Sequence, residues 1–127
     1  MRGMISLSLV MLGGALGAAA RYLVGQALTG WLGPNYPWGT LAVNLIGGLA
    51  MGALVGMLAR MASAEQARLF LAVGVLGGFT TFSAFSLELV TMIERGAWGL
   101  AMGYALASVI AAAVAVMAGL AIVRAAA

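Results

Sequence analysis

Four long apolar stretches dominate the chain, each separated from the next by a short connection rich in polar or helix-breaking residues. A membrane-spanning helix needs about 20 mostly apolar residues. Residues 4–28, 38–58, 69–93 and 97–123 each meet that length. The first connection, residues 29–37, holds Gly30, Gly33, Pro34, Asn35 and Pro37, a dense set of breakers. The second, residues 59–68, carries Arg60, Glu65 and Arg68. Ser63 stands just before Glu65 and Gln66, where it is expected to cap the third helix. The third connection is little more than Glu94, Arg95 and Gly96. Trp31, Tyr36, Trp38 and Trp98 fall at segment ends, as an interfacial aromatic belt requires. The pattern predicts a single domain over residues 1–127, an all-α membrane protein of four transmembrane helices.

Composition points the same way. The 127 residues are 65% hydrophobic and 7% charged, whereas soluble proteins carry about 25% charged residues. So few charges cannot cover a water-facing surface, and lipid is the solvent that fits. Residues 2–20 also combine Arg2, an apolar stretch and Ala18-Ala19-Ala20, which resembles a signal-peptide cleavage site. Because similar apolar segments follow to the C-terminus, the first one is read as a retained helix. Cys and His are absent, which removes thiolate chemistry, disulfides, most zinc sites and His-based acid–base catalysis. Without a nucleophile–base pair or a metal cluster, the chain is not expected to be an enzyme. All six basic residues are Arg, the formal charge is +3, and there is no basic run, so no nucleic-acid partner is expected.

Glycine recurs at four-residue intervals. Gly13, Gly17, Arg21 and Gly25 share one face of the first helix, and Gly48, Gly52 and Gly56 one face of the second. Gly74 and Gly78 repeat the spacing on the third helix, and Gly99 and Gly103 on the fourth. Such stripes let helix backbones approach closely in lipid, and most of these glycines are read as packing positions in a tight, oligomeric bundle.

Polar groups at membrane depth carry the functional signal. Thr40 and Asn44 lie one turn apart on the second helix, and the Asn44 amide needs partners that lipid does not offer. An interhelical hydrogen bond and a functional donor are both compatible with it. The run Gly77-Gly78-Phe79-Thr80-Thr81-Phe82-Ser83-Ala84-Phe85-Ser86 puts two glycines and four hydroxyls inside an apolar span. It predicts a third helix broken near its middle. Carbonyls freed at such a break can ligate a cation such as Na⁺. Phe82 and Phe85 bracket Ser83 and Ala84, and aromatic ring edges carry partial positive charge that can meet an anion. Tyr104 and Ser108 share a face of the fourth helix, which continues to Ala112 without a polar group. Arg21 and Glu88, near helix ends, are candidates for snorkelling charges.

Three stretches together resemble the small fluoride channels of the Fluc (CrcB) family. They are Gly13-Gly14-Ala15-Leu16-Gly17-Ala18 with Arg21-Tyr22, then Trp38-Gly39-Thr40-Leu41-Ala42-Val43-Asn44, and Gly77 through Phe85. Length, helix number and motif order also match. The resemblance implies an antiparallel, dual-topology homodimer in the cell (inner or plasma) membrane, with two fluoride pores. It implies a central structural Na⁺ on the backbone carbonyls of Gly77 and Thr80. It implies a fluoride pathway that includes Asn44 as donor, Phe82 and Phe85 as ring-edge sites, and Ser83, Thr40, Tyr104 and Ser108 as polar groups. Arg21 would draw anions into a vestibule. Ala112 stands where the family often continues that track of polar groups with another hydroxyl.

Charge counting leads elsewhere. With both termini on one side, Arg2, Arg60, Arg68 and Arg124 share that side, against Arg95 and Arg21. That bias favours termini facing the cytoplasm, whereas the resemblance implies both orientations. Two other readings stand beside the channel. A small multidrug-type transporter needs a membrane-embedded carboxylate, and the first helix has none. A non-transporting anchor would account for the glycine faces but not for Asn44 and residues 80–86.

Overall fold

Lipid offers a backbone no hydrogen-bond partners, so an apolar run of this length must satisfy its own amides and carbonyls as a helix. The computed structural model describes residues 1–126 and follows that rule. Helix α1 spans Arg2–Leu32 and α2 spans Trp38–Leu58. The third span, Glu65–Glu94, is divided. Its first half, α3 (residues 65–79), consists of α-helical Glu65–Ala67, π-helical Arg68–Leu76 and α-helical Gly77–Phe79. Its second half is α4, Ser83–Glu94. Helix α5 covers Trp98–Ala125. All four spans are long and apolar enough to cross a membrane.

The chain turns where its glycines permit. Gly96 has φ 79°, and there the amides of Gly96 and Ala97 return to the carbonyls of Ile93 and Met92, each at 2.9 Å. This is the Schellman arrangement, which satisfies the last carbonyls of α4. Gly33 ends α1 with φ 86° and ψ 170°, a different positive-φ conformation that glycine adopts without steric cost. Ser63 does not cap α3. The cap residue is Ala64, with no side-chain bond, and Ser63 lies one residue too far upstream to reach the first amides. Glu65 instead pairs with Arg68 at 2.9 Å across one exposed turn.

The bundle is built from two close helix pairs, α1 on α3 and α2 on α5. Glycine sets both. A Cβ at Gly74 would lie 2.9 Å from the Gly13 Cα, and one at Gly78 would lie 2.6 Å from the Gly14 carbonyl oxygen. A Cβ at Gly48 would lie 3.0 Å from the Ala112 carbonyl oxygen, and Gly52 and Gly119 are similarly pressed against the facing backbones. A methyl group does not fit against backbone at such separations, so these stripes hold the helices at contact distance. Arg60 Nη2 donates to the Val123 carbonyl at 2.5 Å. This ties the second connection to the end of α5, on one side of the bundle. Phe85, Met92, Ala101 and Tyr104 form the buried core between α4 and α5, with Tyr36, Leu41 and Leu89 packed around them. Most other large apolar side chains, such as Leu16, Leu23 and Met117, are exposed on the outside of the bundle.

Candidate functional site

The site is organised by the gap between α3 and α4. Thr80 takes an extended conformation, with φ −84° and ψ 158°. Its hydroxyl donates back to the Leu76 carbonyl at 2.9 Å, a bond that competes with helix continuation. In an unbroken helix the Thr81 amide would bond to the Gly77 carbonyl. Here it donates to Asn44 Oδ1 at 2.9 Å, while Asn44 Nδ2 donates to the Thr81 carbonyl at 3.0 Å. The Ala84 amide, which would bond to the Thr80 carbonyl, donates to Thr81 Oγ1 at 3.2 Å and starts α4. Two side chains thus divert the amides that would otherwise claim the Gly77 and Thr80 carbonyls. Those two carbonyls accept no hydrogen bond among the described residues. Unclaimed backbone oxygens are the donor type that suits an alkali cation at a helix break. No cluster of acidic, His or Cys side chains that could hold a metal occurs among the described residues.

Two cavities flank this gap. A vestibule of about 470 Å³ is lined by Arg21, Tyr36, Trp38, Thr40, Thr81 and Glu88, among others. A groove of about 410 Å³ lies on the other side, lined by Asn44, Thr80, Phe82, Phe85, Ser108 and Ala112, among others. The wall of the groove is mostly apolar. Phe82 is 77% exposed and Phe85 7%, and their ring centroids are 5.7 Å apart. Phe85 also packs on Tyr104 at 5.2 Å, and Tyr104 on Tyr36 at 5.5 Å. Tyr104 therefore stands between an aromatic residue of the groove and one of the vestibule.

Tyr104 is 1% exposed and Ser108 7%. Neither hydroxyl makes a hydrogen bond of good geometry among the described residues, although the Thr40 and Ser108 side chains stand close to that of Tyr104. Leaving a buried hydroxyl unpaired costs about 1–3 kcal/mol, so an unpaired pair is unusual in a purely structural core. Ser108 lines the groove, and Tyr104 packs on the groove residue Phe85 behind it.

The sequence candidates separate into groups. Asn44, Phe82, Phe85 and Ser108 meet at the groove, and Thr40 and Arg21 at the vestibule. Ser83 is not with them. It is exposed, and its hydroxyl lies 3.4 Å from that of Thr81. Glu88 is not a snorkelling charge at a helix end. It lies in the middle of α4 and accepts a hydrogen bond from Thr40 Oγ1 at 2.6 Å. Nothing in local spacing joins residues 40 and 88, and only the packing of α4 against α2 brings them together. Thr81, within the hydroxyl run, accepts the Ala84 amide on its Oγ1 and exchanges two hydrogen bonds with Asn44.

Residues 8–120 match the family described as CrcB-like protein, Camphor Resistance (CrcB). A protein from Mesorhizobium japonicum described as a fluoride-specific ion channel, FluC, is 51% identical over 121 residues, covering 95% of this chain and 98% of its own length. Proteins with the same description from Agrobacterium fabrum and Phenylobacterium zucineum are each 54% identical. They cover 95% of this chain, and 98% and 97% of their own lengths respectively.

Proposed function

The chain belongs to the CrcB-like family, and from that membership we propose that it is a passive, fluoride-selective ion channel of the cell membrane. It is a multi-pass membrane protein and not an enzyme. The observation that carries the reading at residue level is the pair of buried hydroxyls of Tyr104 and Ser108, neither in a hydrogen bond of good geometry, set beside Phe85 and the groove. Fluoride is a small, strong acceptor, and hydroxyl and amide donors in a dry channel offset its lost hydration. Asn44 has one amide hydrogen on the Thr81 carbonyl and a second available to an anion. Exit matters because HF crosses lipid uncharged and dissociates in a less acidic cytoplasm. The membrane potential then drives the trapped anion out with about 2.3 kcal/mol per charge per 100 mV. A multidrug-type exchanger would couple export to protons. Fluoride efflux from liposomes that is unchanged when a proton gradient is collapsed separates the two.

The functional unit is proposed to be an antiparallel, dual-topology homodimer with two pores. The reading is supported by the groove itself, where polar Asn44 and Ser108 sit beside an outward-facing Phe82. A dehydrated ion path open to lipid on one side needs a cover, and a second copy supplies it. Ser63 is exposed on the second connection. In oriented cells, a Ser63→Cys variant should be labelled from both faces of the membrane by an impermeant thiol reagent. Labelling from one face alone contradicts dual topology.

The same dimer is proposed to hold a structural Na⁺, with the Gly77 and Thr80 carbonyls of each chain as ligands. Support comes from the diverted amides that leave these oxygens unclaimed. When bound, the ion would tie two helix breaks together by charge. Removing Na⁺ should lower the dimer content in detergent, with no Na⁺ moving in step with fluoride. Tracer Na⁺ that crosses in proportion to fluoride refutes a static ion.

A further inference from the structure

Arg21 lies one turn beyond Gly17, on the α1 face that packs against α3. Its Nε donates to the Gly78 carbonyl at 3.1 Å, in a partly buried setting. In a continuous helix that carbonyl would accept the Phe82 amide, but the chain breaks before Phe82 can supply it. Gly78 is also pressed on α1, where an added Cβ would meet the Gly14 oxygen at 2.6 Å and the Ala18 nitrogen at 3.2 Å. Helix α1 therefore grips the last turn of α3 twice, by glycine contact and by one directed hydrogen bond. The gripped residue sits between Gly77 and Thr80, whose carbonyls stay free, and three residues before Thr81, which is held by Asn44.

We infer that Arg21 is a positioning residue. It fixes the Gly78 peptide through Nε and so sets the backbone at the break, in addition to any pull its charge exerts on anions in the vestibule. The two roles use different atoms. Attraction of anions needs only the positive charge. Positioning needs an N–H donor four atoms out along the side chain, at Nε. Gln carries an N–H at that same position without charge. Lys carries the charge but places its donor one bond further out. Met supplies neither. The inference rests on the proposed channel for its functional meaning, but not for its structural test.

The test compares native protein with Arg21→Gln, Arg21→Lys and Arg21→Met. Hydrogen–deuterium exchange at residues 79–84 is followed in purified protein, and fluoride efflux is followed in liposomes at low and high ionic strength. Arg21→Met should speed exchange across residues 79–84 by about tenfold, the scale of losing one directed bond to a local opening. Arg21→Gln should restore most of the protection, and Arg21→Lys should stay near Arg21→Met. Efflux should rank in the same order at high ionic strength, where charge attraction is screened. Should Arg21→Met fail to purify, the Gln–Lys pair still decides. Native-like exchange in Arg21→Met, or protection by Lys and not by Gln, overturns the inference and leaves Arg21 an electrostatic attractor. If native protein moves no fluoride, the channel reading fails, while the exchange data still judge Arg21.

Discussion

Asn44→Asp should abolish fluoride flux while the protein still assembles. The side chain keeps its shape and the Oδ1 that receives the Thr81 amide at 2.9 Å. It loses the donor to the Thr81 carbonyl and the spare hydrogen that could meet an anion. In its ionised form it also places a negative charge beside the path. Two like charges about 4 Å apart repel by about 4 kcal/mol at an effective dielectric constant of about 20. Since about 1.4 kcal/mol is tenfold in rate, flux should fall by at least about 100-fold. Liposome efflux measured with size-exclusion chromatography of the same preparation checks this. Undiminished flux would reduce Asn44 to a clamp on the broken helix.

Phe82→Ile and Phe85→Ile should each lower fluoride flux at least about tenfold, the effect of about 1.4 kcal/mol at the barrier. Their costs in stability should differ. Phe82 is 77% exposed in the chain, so its replacement leaves the fold of the single chain nearly untouched. Phe85 is buried between Phe82 and Tyr104, and reshaping its pocket should cost about 1–3 kcal/mol. Ile keeps the apolar character but has no positive ring edge. Met, with a polarizable thioether, should retain part of the flux at position 82. If both Ile variants conduct like the native protein, the rings only pack, and the anion path lies elsewhere.

The spans were legible because the thickness of lipid fixes how long an apolar helix must be. The second span has the limits its sequence predicts, and the others differ from prediction by a few residues at their ends. The break was legible too, since Gly77, Gly78 and the hydroxyls of residues 80–83 conflict with helix in an otherwise apolar run. The nine-residue π-helical stretch before it was not, because Arg68–Leu76 reads as an ordinary apolar helix in sequence. That stretch packs against the glycine face of α1, with Gly13 against Phe70 and Gly74 and Gly17 against Val75. Site residues were legible as polar exceptions, but their partners were not. Thr40 with Glu88, Asn44 with Thr81 and Arg21 with Gly78 are separated by 48, 37 and 57 positions, which no local period connects. Ser83 shows the converse. It sits among groove residues in sequence, yet one position along a helix turns a side chain by about 100°. That turn carries Ser83 away from the face used by Phe82 and Phe85.

The central claim is selective, unassisted fluoride passage through this chain alone. The most direct test is efflux from liposomes that hold the purified protein as their sole protein and are loaded with the potassium salts of both fluoride and chloride, with a K⁺ ionophore added so that K⁺ leaves with the anion and charge balances. Ion-selective electrodes follow the two halides in the same sample. Release of fluoride down its gradient, with chloride retained at the level of protein-free liposomes, is the expected result. Retention of both ions, or release of chloride along with fluoride, contradicts it.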